Sequence, residues 1–172
     1  MACFLPFALS VASRSEVFQL RFAREAAERL VFGDALNWKC TAKGLELLGE
    51  SEDVLSDAVA HLRAVYADDL AVGEVRVRYR WETMPLEPVM MVDVTVPSVF
   101  GQRTLNIIRA RDVVLESTEK DQTAWRLLGQ GHASRVLGLR SQLDVLTNST
   151  AATRVTLFGY FFPPSGPGGS AA

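Results

Sequence analysis

Side chains that could do acid–base, metal or nucleophilic chemistry are few in this chain of 172 residues. Glu50, Glu52 and Asp53 cluster where an apolar helical stretch begins, and carboxylates so placed could exchange protons or bind a cation. The positive end of a helix dipole favours the same residues, and this explains them without a catalytic role. Ser134 follows His132 closely, but no nucleophile-elbow motif surrounds it. We therefore predict no catalytic residues.

The sequence also lacks any group of residues whose spacing fits a metal or cofactor site. His61 and His132 are far apart, and the spacing of Cys3 and Cys40 fits neither a zinc site nor a disulfide framework. No Gly-x-x-x-x-Gly-Lys-Ser/Thr loop occurs, so nothing is predicted to cradle nucleotide phosphates. We expect a protein that is not an enzyme and has no metal, cofactor or nucleotide.

Basic side chains are the remaining chemical feature. The 18 basic and 20 acidic residues give a net charge of −2, so binding to an anionic partner would need local patches. Arginines alternate with Val75, Val77 and Tyr79, which indicates a strand with a basic outer face. Such side chains could contact phosphates, or they could form a solvated or interdomain face. The candidate contact residues are Arg76, Arg78, Arg80, Arg103, Arg109, Arg111, Arg135 and Arg140.

Hydrophobic periodicity predicts two successive units of the same pattern. The first comprises strands at 17–22, 36–41, 45–48 and 75–80, with helices at 24–31 and after an N-cap at Ser51. The second comprises strands at 89–96, 113–117, 124–128 and 153–161, with helices from Pro97 and over 134–146. Each order is βαββαβ, which predicts an α+β protein of two tandem ferredoxin-like domains, each an antiparallel sheet with helices on one face.

The predicted boundaries follow from this pattern. Residues 1–15 are a flexible N-terminus or a presequence, 16–82 the first domain, 83–88 a linker, 89–162 the second domain and 163–172 a disordered tail. The N-terminus lacks the early basic region of a secretory signal and is too short to span a membrane. We expect no membrane contact and a cytoplasmic or mitochondrial-matrix location.

Two stretches resemble a known family. Residues 49–56 align without gaps with the motif Gly-Met-Gly-Glu-Leu-His-Leu-Glu, sharing Gly49, Glu52 and Leu55. Residues 86–94, Leu-Glu-Pro-Val-Met-Met-Val-Asp-Val, are close to Leu-Glu-Pro-Val-Met-Lys-Val-Glu-Val. These motifs belong to domains III and V of elongation factor G, a translational GTPase, so the two predicted domains resemble domains III and V.

Other domains of that family have no counterpart here. The GTPase domain and domain II are absent, and residues 79–82 meet residues 86–88 where the family carries domain IV. The resemblance implies a non-catalytic, truncated translation-related protein that binds the ribosome or a ribosomal subunit, through RNA or ribosomal protein, as a component, an assembly factor or a translation factor.

Several positions depart from the family. An arginine that faces RNA or the GTPase core becomes Asp144, which reverses the local attraction to phosphate. Two alternatives therefore stay open. One is a protein-interaction module that has lost RNA contact, and the other is a regulatory tandem of ferredoxin-like units that binds a small molecule.

Overall fold

The computed structural model describes residues 4–31 and 33–163. The chain divides into two compact units, Met1–Arg78 and Tyr79–Ala172, and each contains one five-stranded sheet. Within each unit the sheet is antiparallel. The predicted disordered tail falls, from residue 164 onward, outside the described residues. No helix in the described part of the chain is long and apolar enough to cross a membrane.

The first unit contains one sheet and two main helices. Its elements are β1 (Phe7–Ser13), α1 (Gln19–Ala27), β2 (Leu36–Thr41), β3 (Gly44–Gly49), α2 (Glu52–Tyr66), a 3-10 turn (Ala67–Asp69), β4 (Leu70–Val72) and β5 (Arg76–Val77). The sheet order is β2-β3-β1-β4, with β5 also paired to β1. The prediction of β2 is confirmed at both ends, and β3 extends one residue beyond its prediction on each side.

The start of the first unit corrects two predictions. Residues 7–13 lie in the segment predicted to be flexible, yet they form β1, which pairs with three other strands. Phe7, Leu9 and Val11 alternate along it and are buried. The strand predicted at 17–22 is instead the start of α1, because its alternating residues do not share one environment. Phe18 and Leu20 are exposed, and only Phe22 is buried.

Helix α2 begins as the sequence predicts. The Ser51 side chain accepts a hydrogen bond from the Val54 backbone N–H at 3.4 Å. Leu55, Ala58, Val59 and Leu62 form its buried stripe. A Cβ at Gly49, just before the helix, would lie 2.7 Å from Leu55 Cγ, so a side chain there would force the buried Leu55 side chain to move.

The last strand of the first unit differs from the prediction at 75–80. β4 pairs with Val11–Ser13, and its Leu70 is buried opposite Ser13. Of the predicted strand, Arg76–Val77 pairs with Phe7 and Ala8 of β1, whereas Arg80–Trp81 forms β6 in the second unit. β4 and β5 therefore share the edge of β1 opposite β3, and pairing along this edge begins at Leu70, ahead of the predicted strand.

The second unit matches its predicted order. Its elements are β6 (Arg80–Trp81), β7 (Pro85–Pro97), α3 (Ser98–Ala110), β8 (Val114–Lys120), β9 (Ala124–His132), α4 (Ala133–Val136), α5 (Leu139–Thr147) and β10 (Ala152–Phe161). The sheet order is β10-β7-β9-β8, with β6 paired to β7. Met90, Val92 and Val94 point to the helix-covered side and are buried with Leu127. Both units thus have the same strand order, and the predicted ferredoxin-like fold is confirmed.

Two details of the second unit correct the predictions. The linker predicted at 83–88 is largely structured, because β7 already begins at Pro85 and pairs with β6. The helix predicted over 134–146 is divided into α4 and α5 at Leu137 and Gly138. Gly138 has φ of 75°, a left-handed conformation that glycine adopts without a Cβ penalty.

Candidate nucleic-acid interface

The arginines predicted to share one strand do not form one basic face. The Arg76 guanidinium contacts Glu46 Oε1 at 3.3 Å and Ser10 Oγ at 3.2 Å. Arg78 donates to the Leu5 carbonyl at 2.8 Å and lies 4.1 Å from the Phe4 ring centroid. Both therefore have structural contacts with the first unit's own chain.

Arg80, the third member of that predicted face, belongs to the second unit. It forms an exposed ion pair with Glu82, with 3.1 Å between the charged atoms. An exposed pair of this kind stabilises a fold by about 0–1 kcal/mol, so Arg80 remains open to a partner.

Arg111 holds the break between α4 and α5. Its guanidinium donates to the Arg135 carbonyl at 2.9 Å, the Leu137 carbonyl at 2.7 Å and Gln142 Oε1 at 2.9 Å. These acceptors occupy most of its donors, so its first role is to satisfy carbonyls where α4 ends. Arg135 lies nearby and forms an exposed ion pair with Asp112 at 3.6 Å.

Arg103 and Arg109 are exposed on α3. Neither forms a salt bridge within residues 4–31 and 33–163. Six positions on a helix turn the side chain by about 120° around the axis, so the two arginines point in different directions. They could each contact a partner, but they do not make one patch.

Arg140 lines a cleft together with other arginines. The cleft has a volume of about 500 Å³ and lies where β10 begins. It is lined by Asp93, Thr95, Arg126, Arg140, Ala151, Ala152, Thr153 and Arg154. Arg126 and Arg154 are not among the predicted site residues. The available signal is the polar pair Asp93 and Thr95 within an otherwise apolar strand, which marks the outer side of β7.

Within the cleft, Asp93 holds the side chain of Arg126. Its carboxylate accepts two hydrogen bonds from Arg126, at 3.0 Å from Nε and 2.7 Å from a terminal nitrogen. The hydrogen bond from Arg126 lowers the pKa of Asp93 below its ordinary value, and the charges of Arg126 and Arg154 act in the same direction. Arg154 stands opposite Asp93 in the strand register and forms no salt bridge with any described residue.

An aromatic cluster stands at the other end of β10. The rings of Phe158 and Phe161 are stacked, with centroids 5.9 Å apart and planes at 10°. They are 51% and 47% exposed, and Phe162 is 63% exposed. A register shift between Leu157 and Gly159 brings the two rings together. A Cβ at Gly159 would approach the Phe161 ring to 2.9 Å, so a glycine here permits the stack.

Two residues first considered for chemistry, Ser134 and His132, lie against the buried carboxylate of Glu87. Glu87 is 2% exposed, and its Oε1 accepts a hydrogen bond from the Ser134 backbone N–H at 2.9 Å. His132 Nδ1 lies 3.5 Å from Glu87 Oε2. Glu52 and Asp53 occupy the first turn of α2. Among the described residues no group of three or more His, Cys, Asp or Glu side chains could hold a metal ion.

Comparisons with known proteins establish the fold alone. No family model matches the chain, and no curated protein matches it. Among solved structures, a protein from Thermus thermophilus is similar with a TM-score of 0.64 and 12% sequence identity. The similarity covers 95% of this chain and 42% of that protein, so the chain spans less than half of its length.

Proposed function

We propose that this chain is a non-catalytic, ribosome-associated protein related to the C-terminal part of elongation factor G. The observation that carries the proposal is the position of the residues shared with that family. Gly49 stands where β3 meets α2, and Glu87 is buried beneath the start of α4. Shared residues that hold each of the two units in shape support common descent of the pair.

The start of the second unit supports the same proposal. In the family, domain IV precedes the equivalent of this unit. Here Arg80 pairs with Leu86 and Trp81 with Pro85, and the Glu82 N–H donates to the Met84 carbonyl at 3.2 Å. A short hairpin thus replaces a whole domain, which suits a protein that binds at the factor site without reaching the decoding region.

Ribosome-gradient fractionation of the tagged full chain tests the proposal. We expect the protein to co-sediment with ribosomes or one subunit at low salt, and to be released when nuclease digests the particles. Failure to enter any ribosomal fraction at low salt would contradict the proposal. A chain with Arg103 and Arg109 both changed to Glu should sediment less. A chain with Arg24 and Arg29, both exposed in the first unit, changed to Glu serves as the charge-matched control.

A protein partner is the second candidate, and one observation favours it. Val17 is 83% exposed, Phe18 72% and Leu20 39%, so the start of α1 presents apolar side chains to solvent. If this surface binds protein, nuclease treatment should leave a defined partner attached, and Phe18→Asp should remove it. Retention of that partner by the Phe18→Asp variant would argue against this candidate.

A further inference from the structure

One face of the second sheet is not covered by α3, α4 or α5, the helices of its own unit. We call it the open face, and define it by Asp93, Arg126, Arg154 and Phe158. Along β7, Val92 and Val94 are buried on the helix side, and Asp93 and Thr95 alternate with them on the other. Along β10 the alternate residues Ala152, Arg154, Thr156 and Phe158 are exposed, which places them on the same side.

Arginine side chains lie at one end of the open face. Arg126 uses Nε and one terminal nitrogen on Asp93, which leaves its other terminal nitrogen for a ligand. Arg154 has no ion pair within the described residues, so its whole guanidinium fork is available. Arg140 reaches the same cleft but also lies 3.8 Å from Asp144, and Glu119 stands opposite Arg126. The guanidinium of Arg154 and the free terminal nitrogen of Arg126 are therefore the principal hydrogen-bond donors for a bound phosphate.

Stacking surfaces stand at the other end. Phe158 and Phe161 are four and seven residues beyond Arg154 on one strand. At a rise of about 3.3 Å per residue, the first ring is roughly 13 Å from the arginine along the strand. A cluster of exposed apolar side chains marks an interaction site, which a single exposed residue does not. Phe158 and Phe161 form such a cluster, and the lack of a Cβ at Gly159 permits their stack.

We propose that the open face binds single-stranded RNA, with phosphates at Arg154 and Arg126 and unstacked bases on Phe158 and Phe161. A guanidinium fork and aromatic rings spaced along one strand suit this ligand, because a single strand presents its backbone phosphates and its unstacked bases together. Duplex RNA fits less well, since its bases are stacked internally and unavailable to the rings. The inference rests on the proposed function and deepens it, in that an unpaired segment of ribosomal RNA is the expected source.

Fluorescence anisotropy of the purified full chain tests the inference. The probe is a labelled, unstructured RNA of about ten nucleotides, a length within the range that single-strand-binding folds cover. We expect saturable binding that a duplex of the same length competes for only weakly. Changing both Phe158 and Phe161 to Ala should weaken binding roughly tenfold or more, since base stacking on an aromatic ring has this magnitude.

Matched controls separate the two ends of the site. Arg154→Gln should weaken binding several-fold and reduce its salt dependence, whereas Arg24→Gln, in the first unit, should leave both unchanged. Phe18→Ala, an exposed aromatic in the first unit, is the control for the phenylalanine pair. Thermal melts of each variant establish that the exposed substitutions leave the fold intact.

Three results would overturn the inference: no saturable binding at low salt, equal affinity for duplex and single strand, or full affinity in the Phe158→Ala, Phe161→Ala chain. The gradient experiment distinguishes this failure from that of the proposed function. Co-sedimentation without binding of the oligonucleotide would refute only the RNA site. Oligonucleotide binding without co-sedimentation would support the RNA site and refute the ribosomal role.

Discussion

Glu87 shows how a residue shared with a family can be a structural residue. Its carboxylate is removed from solvent and meets the Ser134 N–H and the His132 ring. A buried carboxylate is tolerated only when hydrogen-bond partners replace its hydration. The glutamate of the Leu-Glu-Pro motif thus stabilises the junction of β7, β9 and α4, and this role does not depend on any binding partner.

Replacing Glu87 with Ala should therefore destabilise the protein. The Ser134 N–H would lose the carboxylate that accepts its part-buried hydrogen bond, and a hydrogen bond to a charged group contributes about 1.5–3 kcal/mol. Chemical unfolding followed by circular dichroism measures the change. Glu82→Ala, which breaks only the exposed pair with Arg80, is the control and should cost about 0–1 kcal/mol. Equal effects of the two substitutions would contradict a structural role for Glu87.

Asp69 gives the first unit a predictable response to acid. Its carboxylate accepts from the Ser13 hydroxyl at 2.6 Å and the Ser15 N–H at 2.8 Å. The Ser13 hydrogen bond, followed by the one from Ser15, lowers the pKa of Asp69 below its ordinary value of 3.8. A lowered folded-state pKa means that its stabilisation is present above the unfolded pKa and is lost as pH falls through the folded value.

The Asp69→Asn variant should then be less stable than wild type near neutral pH, and the difference should shrink below about pH 4. Unfolding free energies measured from about pH 7 to about pH 2.5 would follow this window. Asp57→Asn, on the exposed side of α2, is the matched control. If the difference in unfolding free energy between Asp69→Asn and wild type stays constant through the acid range, the ionised Asp69 carboxylate does not stabilise the fold through these hydrogen bonds.

At the scale of elements, strand β1 changes the interpretation of the N-terminus. Composition alone assigns residues 7–13 to a flexible segment, although they alternate like a strand. Pairing with β3, β4 and β5 satisfies backbone groups on both edges of β1 and makes these residues part of the first sheet.

Leu9→Ala tests this placement. Leu9 is 4% exposed within β1, and truncation of a buried leucine costs about 2–5 kcal/mol. Its exposed neighbour Ser10, changed to Ala, should have an effect of about 0.5 kcal/mol or less. Denaturant titration of both variants makes the comparison. Equal stability of the two variants would contradict the placement of residues 7–13 in the sheet and would favour the flexible segment predicted from composition.

For the molecule as a whole, a net charge of −2 excludes a strong uniform attraction to RNA. Any binding must come from local groups, and on the open face two arginines supply it. With about two phosphates neutralised, raising salt from about 50 to 200 mM should weaken binding of single-stranded RNA roughly sevenfold.

The anisotropy titration repeated across this salt range measures the slope. A slope near zero would indicate that phosphates are not contacted and that stacking alone holds the ligand. A decline on the order of a thousandfold would indicate many more phosphate contacts than the open face provides, and the arginines of α3 would then become the first candidates.

The sequence by itself determined the fold class, the repeated βαββαβ order, the Ser51 cap, the stripe of α2 and most of the second unit. These features depend on hydrophobic periodicity and on residues close together in the sequence, and both can be read from the sequence of a single chain. Tertiary structure decided where pairing along an edge begins, as with Leu70–Val72 ahead of residues 75–80, and which charges meet, as with Asp93, Arg126 and Arg154. Pairing between residues distant in sequence depends on register and on partners that compete for one position, and local pattern carries neither.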